Sequence, residues 1–128
     1  MTSGIDHLLD TNVVIGLLKG HAPAVALAQS AGLALDRAAV SQITRMELLG
    51  FPAIAPDEEL AAQAFLSQCR VLAISDEIEA LAITLRRSGG LKLPDAIIAA
   101  TAKVVGAKLL TLDERLIRVS RLAARHRR

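Results

Sequence analysis

Aromatic residues are almost absent from this chain. It has no tryptophan, no tyrosine and only Phe51 and Phe65 in 128 positions. Without an aromatic stripe there is no platform on which unpaired bases could stack, so affinity for nucleic acid must come from charge, backbone amides or a metal. Cysteine is nearly missing too. The single Cys69 excludes an internal disulfide and a cysteine-based metal site, and it reads as a small core hydrophobe. Long apolar runs are also lacking. The stretch Ile5–Leu18 is broken by Asp6, His7, Asp10 and Asn12, and no uncharged segment reaches the ~20 residues that span a bilayer. The expectation is therefore a cytoplasmic protein without leader or membrane span. Gly89-Gly90 lacks the Lys-Ser/Thr of a phosphate loop and is most simply a helix terminator. The three histidines (His7, His21 and His126) are scattered through a strand, a turn and the tail.

What is present is aliphatic. The 52% hydrophobic content is rich in alanine, so the core must be built from Leu, Ile, Val and Ala, which pack well between helices and a sheet. At this length, residues 1–128 form one domain. So much apolar residue on a small body is expected to surface as a patch that a partner or a second copy covers. The net charge of +2 hides an asymmetry. From about residue 114 onward six arginines face one acid, whereas upstream twelve acids outnumber nine basic residues. A basic end on a mildly acidic body suits a phosphate backbone or an acidic partner, and equally a solvated tail.

Strand and helix patterns alternate along the chain. Ile5–Asp10, Ala38–Val40, Arg70–Ile74 and Lys108–Leu112 read as strands. Helices are expected from Val13 to near Gly20, from Ala24 to Ala31 behind Pro23, and from a Ser41 cap to Gly50. Further helices follow Pro56, with Leu60, Ala64 and Phe65 inward, then run from a Ser75 cap to Arg87, from Pro94 to Gly106, and over Asp113–Arg125. This alternation predicts an α/β fold: a three-layer α/β/α sandwich with a central, mostly parallel sheet. Sites in such sheets form beyond the carboxyl ends of the strands.

Asp10 and Asp113 close two of the apolar strand segments, while Glu47 and Asp95 sit inside or at the start of apolar helical patterns. Carboxylates crowded at one sheet edge repel each other unless a divalent cation neutralises them. Such a cation wants hard oxygen ligands and can orient and acidify a water. That is the chemistry of metal-dependent phosphodiester hydrolysis. Thr11 and Asn12 follow Asp10, with side chains able to bind its carboxylate or a coordinated water. Thr111, two residues before Asp113, could hold a water or phosphate oxygen. Against this, Asp10, Asp95 and Asp113 could each be a helix cap, and Glu47 a surface residue on a wet helix face. Two other functions fit parts of the pattern. One is a phosphomonoesterase with Asp10 as nucleophile, although Asn12 stands where a second Asp would be expected. The other is a non-enzymatic RNA- or protein-binding module using the arginines.

Four segments in order, Leu8–Ile15, Ser41–Gly50, Pro94–Ala102 and Leu109–Asp113, resemble the motifs of PIN-domain proteins, and specifically of the VapC-type ribonuclease toxins of toxin–antitoxin pairs. The resemblance covers nearly the whole chain. It implies that Asp10, Glu47, Asp95 and Asp113 are the catalytic acids and metal ligands, with Thr11, Asn12, Ser41, Thr44 and Thr111 in support. It further implies Mg²⁺ or Mn²⁺ as cofactor, RNA as substrate and a homodimer. A small antitoxin would cover apolar surface, block the active site with its C-terminal part and present a basic side chain to the acids. One departure stands out. Members often end with an aromatic residue and a short apolar strand, whereas Glu114–Val119 leads into arginine-rich sequence, so the last strand is expected to be missing or shortened.

Overall fold

The computed structural model describes the backbone of residues 4–126 and side chains over 4–120. Four strands, β1 (His7–Leu9), β2 (Ala38–Ser41), β3 (Arg70–Leu72) and β4 (Lys108–Leu110), form one sheet in the order β3-β2-β1-β4, and every pairing is parallel. β1, β3 and β4 are shorter than expected, because at their carboxyl ends the chain leaves the ladder to build a cap or a turn, whereas β2 runs one residue further, to Ser41. Between them lie α1 (Thr11–Leu18), α2 (Ala22–Ala31), α3 (Gln42–Leu49), α4 (Pro56–Ser67), α5 (Asp76–Gly89) and α6 (Leu93–Val105), with α7 (Glu114–His126) last.

Strand alternation sorts the core into two layers. Leu8 and Ala39 face one cluster with Ile78, Ala82, Leu85, Ile98 and Leu116, so α5, α6 and α7 cover that face. Leu9, Ala38, Val40 and Leu110 face the other, with Val13, Val14, Leu48, Phe65 and Leu66 from α1, α3 and α4. The expected three-layer sandwich is thus the one found. Gly16 has a packing role: a Cβ there would lie 2.5 Å from Ala24 Cβ, so glycine lets α1 and α2 meet.

One local expectation changes. In α4 Phe65 is buried as expected, but its companions are Ala62 and Leu66, while Leu60 is 67% exposed and Ala64 faces solvent. The stretch after Asp113 is helical through His126, so within the described residues β4 is an edge strand and no fifth strand follows. The arginines beyond Ser120 have side chains outside the described residues. His7 lies on an interior strand, with its buried Nδ1 unbonded. Among the described residues, no single helix is long and apolar enough to cross a membrane.

The chain runs outward from β1 through β2 to β3, then returns to place β4 on the other side of β1. The order therefore reverses between β1 and β4. Beyond their carboxyl ends lies the crevice where open α/β sheets bind ligands.

Candidate active site

Asp10 and Thr111 meet across that crevice. The Asp10 amide still donates to Leu110 O (2.9 Å), which keeps the residue aligned with β4 as it leaves β1. Its side chain then caps α1, Oδ1 accepting from the Thr11 amide at 2.7 Å. Oδ2 accepts from Thr111 Oγ1 at 2.6 Å. Capping and a role in the site are therefore not alternatives for this residue. A carboxylate has about four lone-pair positions, and these two bonds use half of them. Asp10 is 5% exposed. Burial raises its pKa above the ordinary aspartate value, and the Asp95 and Glu47 carboxylates push the same way against the two hydrogen bonds.

Glu47 reaches the same centre from α3. Ser41, fully buried at the end of β2, caps that helix by accepting from the Ile43 amide at 3.1 Å. One turn on, the buried Thr44 places its hydroxyl 2.9 Å from Thr11 Oγ1, which is itself 2.6 Å from Glu47 Oε1. An ionised carboxylate only accepts, so the Thr11 proton goes to Glu47 and Thr44 supplies the other bond. Glu47 is solvent-exposed, yet its carboxylate is held.

Asp95 lies half-buried in the first turn of α6, whose N-cap is Lys92. Asp95 therefore does not cap the helix, although as an acid in the first turn it keeps the favourable place at the positive end of the helix dipole. Its pKa is also raised, first by burial and then by the Asp113 carboxylate, with Lys92 and Arg115 opposing. Asp113 does cap: its Oδ1 accepts from the Arg115 amide at 2.9 Å, and its own amide donates to Thr111 Oγ1 at 3.0 Å.

Three supporting residues act differently from expectation: the Thr11 hydroxyl bonds Glu47, leaving only its amide to Asp10. Thr111 spends its one proton on Asp10, so it orients that carboxylate rather than offering a donor to water or phosphate. Asn12 does not bind Asp10. Its Oδ1 accepts from the Leu112 amide (3.2 Å) and its Nδ2 lies 3.5 Å from Thr111 Oγ1, which ties α1 to the loop after β4. The reason is position: as the second residue of α1, Asn12 is two steps past the cap and faces the neighbouring loop.

The electrostatics join the acids in a row. Asp10 feels Glu47 and Asp95, and Asp95 feels Asp113. Among the described residues, no three His, Cys, Asp or Glu side chains are already closed around one ion position. The donors themselves are all carboxylate and hydroxyl oxygens, the hard set that suits Mg²⁺ or Mn²⁺. Sequence reading missed Lys92 and Arg115, the cations beside Asp95. Their only signal was closeness in sequence to Asp95 and Asp113.

The PIN domain model matches residues 7–122. A toxin–antitoxin complex from Klebsiella pneumoniae contains a chain 33% identical, with 84% of this chain and 87% of that one covered and a TM-score of 0.72. FitAcB from Neisseria gonorrhoeae is 26% identical over 89% of this chain and 92% of that one, with the same TM-score. DNA-bound VapBC from Salmonella typhimurium, also 26% identical, is covered over 91% of its chain and 89% of this one, again with a TM-score of 0.72. No curated protein matches by sequence. With the family model spanning almost all of the chain, the chain belongs to the PIN domain family.

Proposed function

We propose that this protein is a divalent-metal-dependent endoribonuclease and the toxin of a type II toxin–antitoxin pair. The observation that carries the reading is the unbroken set of bonds Glu47–Thr11–Asp10–Thr111–Asp113, which joins the first, second and fourth acidic motifs across the crevice. Asp95 is close enough to raise the Asp10 pKa. Chain architecture spent on holding several like charges together is paid back only if something neutralises them.

In this reading Asp10, Asp95 and Asp113 hold the ion, and Glu47 assists with metal or water. Bound there, Mg²⁺ or Mn²⁺ would offset charge on the phosphoryl oxygens and acidify the attacking water. Thr111 and the Thr11 amide fix the Asp10 carboxylate, and Thr11 with Thr44 fixes Glu47, so the acids need little reorganisation as charge develops. In-line hydrolysis of RNA would leave a 3′-hydroxyl and a 5′-phosphate. The test is incubation of purified protein with tRNA, rRNA and mRNA, with and without Mg²⁺ or Mn²⁺. Metal-dependent endonucleolytic products are expected from wild type and on the order of 10²–10³-fold fewer from Asp10→Asn. Equal cleavage by both would refute the assignment.

The antitoxin belongs to the same proposal. A groove of ≈290 Å³ beside Glu47 has an apolar floor that includes Ile15, Leu48 and Ile54, with Phe51 61% exposed at its edge. Asp57 and Glu58 add negative charge to the rim. Such a groove suits an apolar segment carrying a basic side chain toward the acids. The chains it resembles come from complexes named toxin–antitoxin, FitAcB and VapBC. A homodimer is the remaining part of the reading, supported by the exposed Ile83 and Leu93 outside the groove.

A further inference from the structure

Asp95 is the one acid of the four whose place is not fixed by the bonds just described. It depends on where α6 begins, and α6 follows a tight turn. Helix α5 ends with Gly90 in the left-handed conformation (φ 64°), and Lys92 starts α6 two residues later. Arg115, in the first turn of α7, reaches this turn. Its amide donates to Asp113 Oδ1 at 2.9 Å, while its Nη2 donates to Gly90 O at 2.8 Å. One residue thus bonds to the fourth-motif acid through its backbone and to the turn carrying the third-motif acid through its guanidinium.

We infer that Arg115 is a positioning residue, which sets the start of α6, and hence Asp95, against Asp10 and Asp113. It closes the set of bonds from Glu47 to Asp113 onto the α5–α6 turn. This inference rests on the proposed metal-dependent nuclease reading, but its mechanical part stands without it. The planar guanidinium suits the task, because its fixed fork of donors gives a defined direction where a lysine gives only a point charge. Burial is not what holds this contact: Arg115 is exposed, so the bond acts through geometry more than through stability.

The experiment compares wild type, Arg115→Ala and Arg115→Lys by amide hydrogen exchange over residues 89–96, by Mn²⁺ calorimetry and by steady-state RNA cleavage. In Arg115→Ala, exchange over the turn should speed up while the rest of the sheet is unchanged. Mn²⁺ affinity and kcat should each fall by about 10-fold, in the range typical of residues that orient metal ligands, with KM for RNA nearly unaltered. Arg115→Lys should recover part of each loss, and it carries the test if the alanine variant does not fold. Unchanged exchange in the turn overturns the inference whatever the activity. Faster exchange with unchanged Mn²⁺ affinity and kcat also overturns it, by reducing Arg115 to a structural tie. A loss confined to KM does so too, by making Arg115 an RNA contact. Wild-type protein that neither binds Mn²⁺ nor cleaves RNA would instead refute the nuclease reading, leaving the exchange result to judge the clamp.

Discussion

Asp6 and Asp10 bracket the first strand, and the chain treats them in opposite ways. Asp6, at the amino end, is half-exposed and receives a two-pronged ion pair from Arg37, with Nε 2.7 Å and Nη2 2.9 Å from its two oxygens. That guanidinium holds its carboxyl below the ordinary range. Asp10, at the carboxyl end, is buried, bonded only by an amide and a hydroxyl, and has acids for electrostatic neighbours. Its pKa is pushed up. A structural acid is given a cation by the fold, whereas Asp10 has neutral donors and negative company. The deficit is the best physical sign that a cation is supplied from outside.

Substitution should separate the two residues most sharply in catalysis. Asp10→Asn is expected to lower kcat for RNA cleavage on the order of 10²–10³-fold, with circular dichroism unchanged, while Asp6→Asn leaves kcat within assay error. Equal losses would erase the distinction. The next largest effect is expected of Thr111→Val, which removes the donor to Asp10 and the acceptor for the Asp113 amide. Metal affinity should fall about 10-fold or more. The metal-free protein should lose roughly 1–3 kcal/mol, because a buried carboxylate is left short of a partner. Urea unfolding monitored at pH 7 reads the second quantity.

The pH dependence sharpens the contrast through its sign. A raised native pKa means that the folded state binds the proton more tightly than the unfolded state does. For metal-free protein, the contribution of Asp10 is therefore fully present below the ordinary aspartate pKa and is lost as pH rises through the raised value. Asp6 runs the other way, stabilising above its unfolded pKa and losing that contribution as pH falls through the lowered one. As pH drops through the carboxylate range, wild type should gain stability relative to Asp10→Asn and lose it relative to Asp6→Asn. Paired urea midpoints across that range test both signs. The smallest effects are expected of the exposed Asp6–Arg37 pair, because exposed ion pairs contribute little: the Asp6 sign should be at the edge of detection, and the melting temperature of Arg37→Ala should stay within scatter of wild type.

Much of this was legible in the sequence, and the parts that were not share a cause. Alternating strand and helix patterns gave the layers, because apolar periodicity is set by which face is buried. Asp10, Glu47, Asp95 and Asp113 could be nominated because charge in apolar surroundings needs a reason. The phase of α4 could not be read: alanines make Leu60–Ala64 as plausible a stripe as Ala62–Leu66, and only packing against β2 and β3 chooses. The partners of Thr111 and Asn12 are not legible locally. Their bonds cross from one motif to another, about a hundred residues apart in sequence. Arg115 was counted within a basic segment, since nothing local marks an arginine that reaches a carbonyl across a turn.

The most direct test of the central claim is titration of Mn²⁺ into wild type, Asp6→Asn and Asp10→Asn by calorimetry at neutral pH. Wild type and Asp6→Asn should give the same saturable isotherm, and Asp10→Asn should give none. An Asp10→Asn isotherm indistinguishable from wild type would contradict the account.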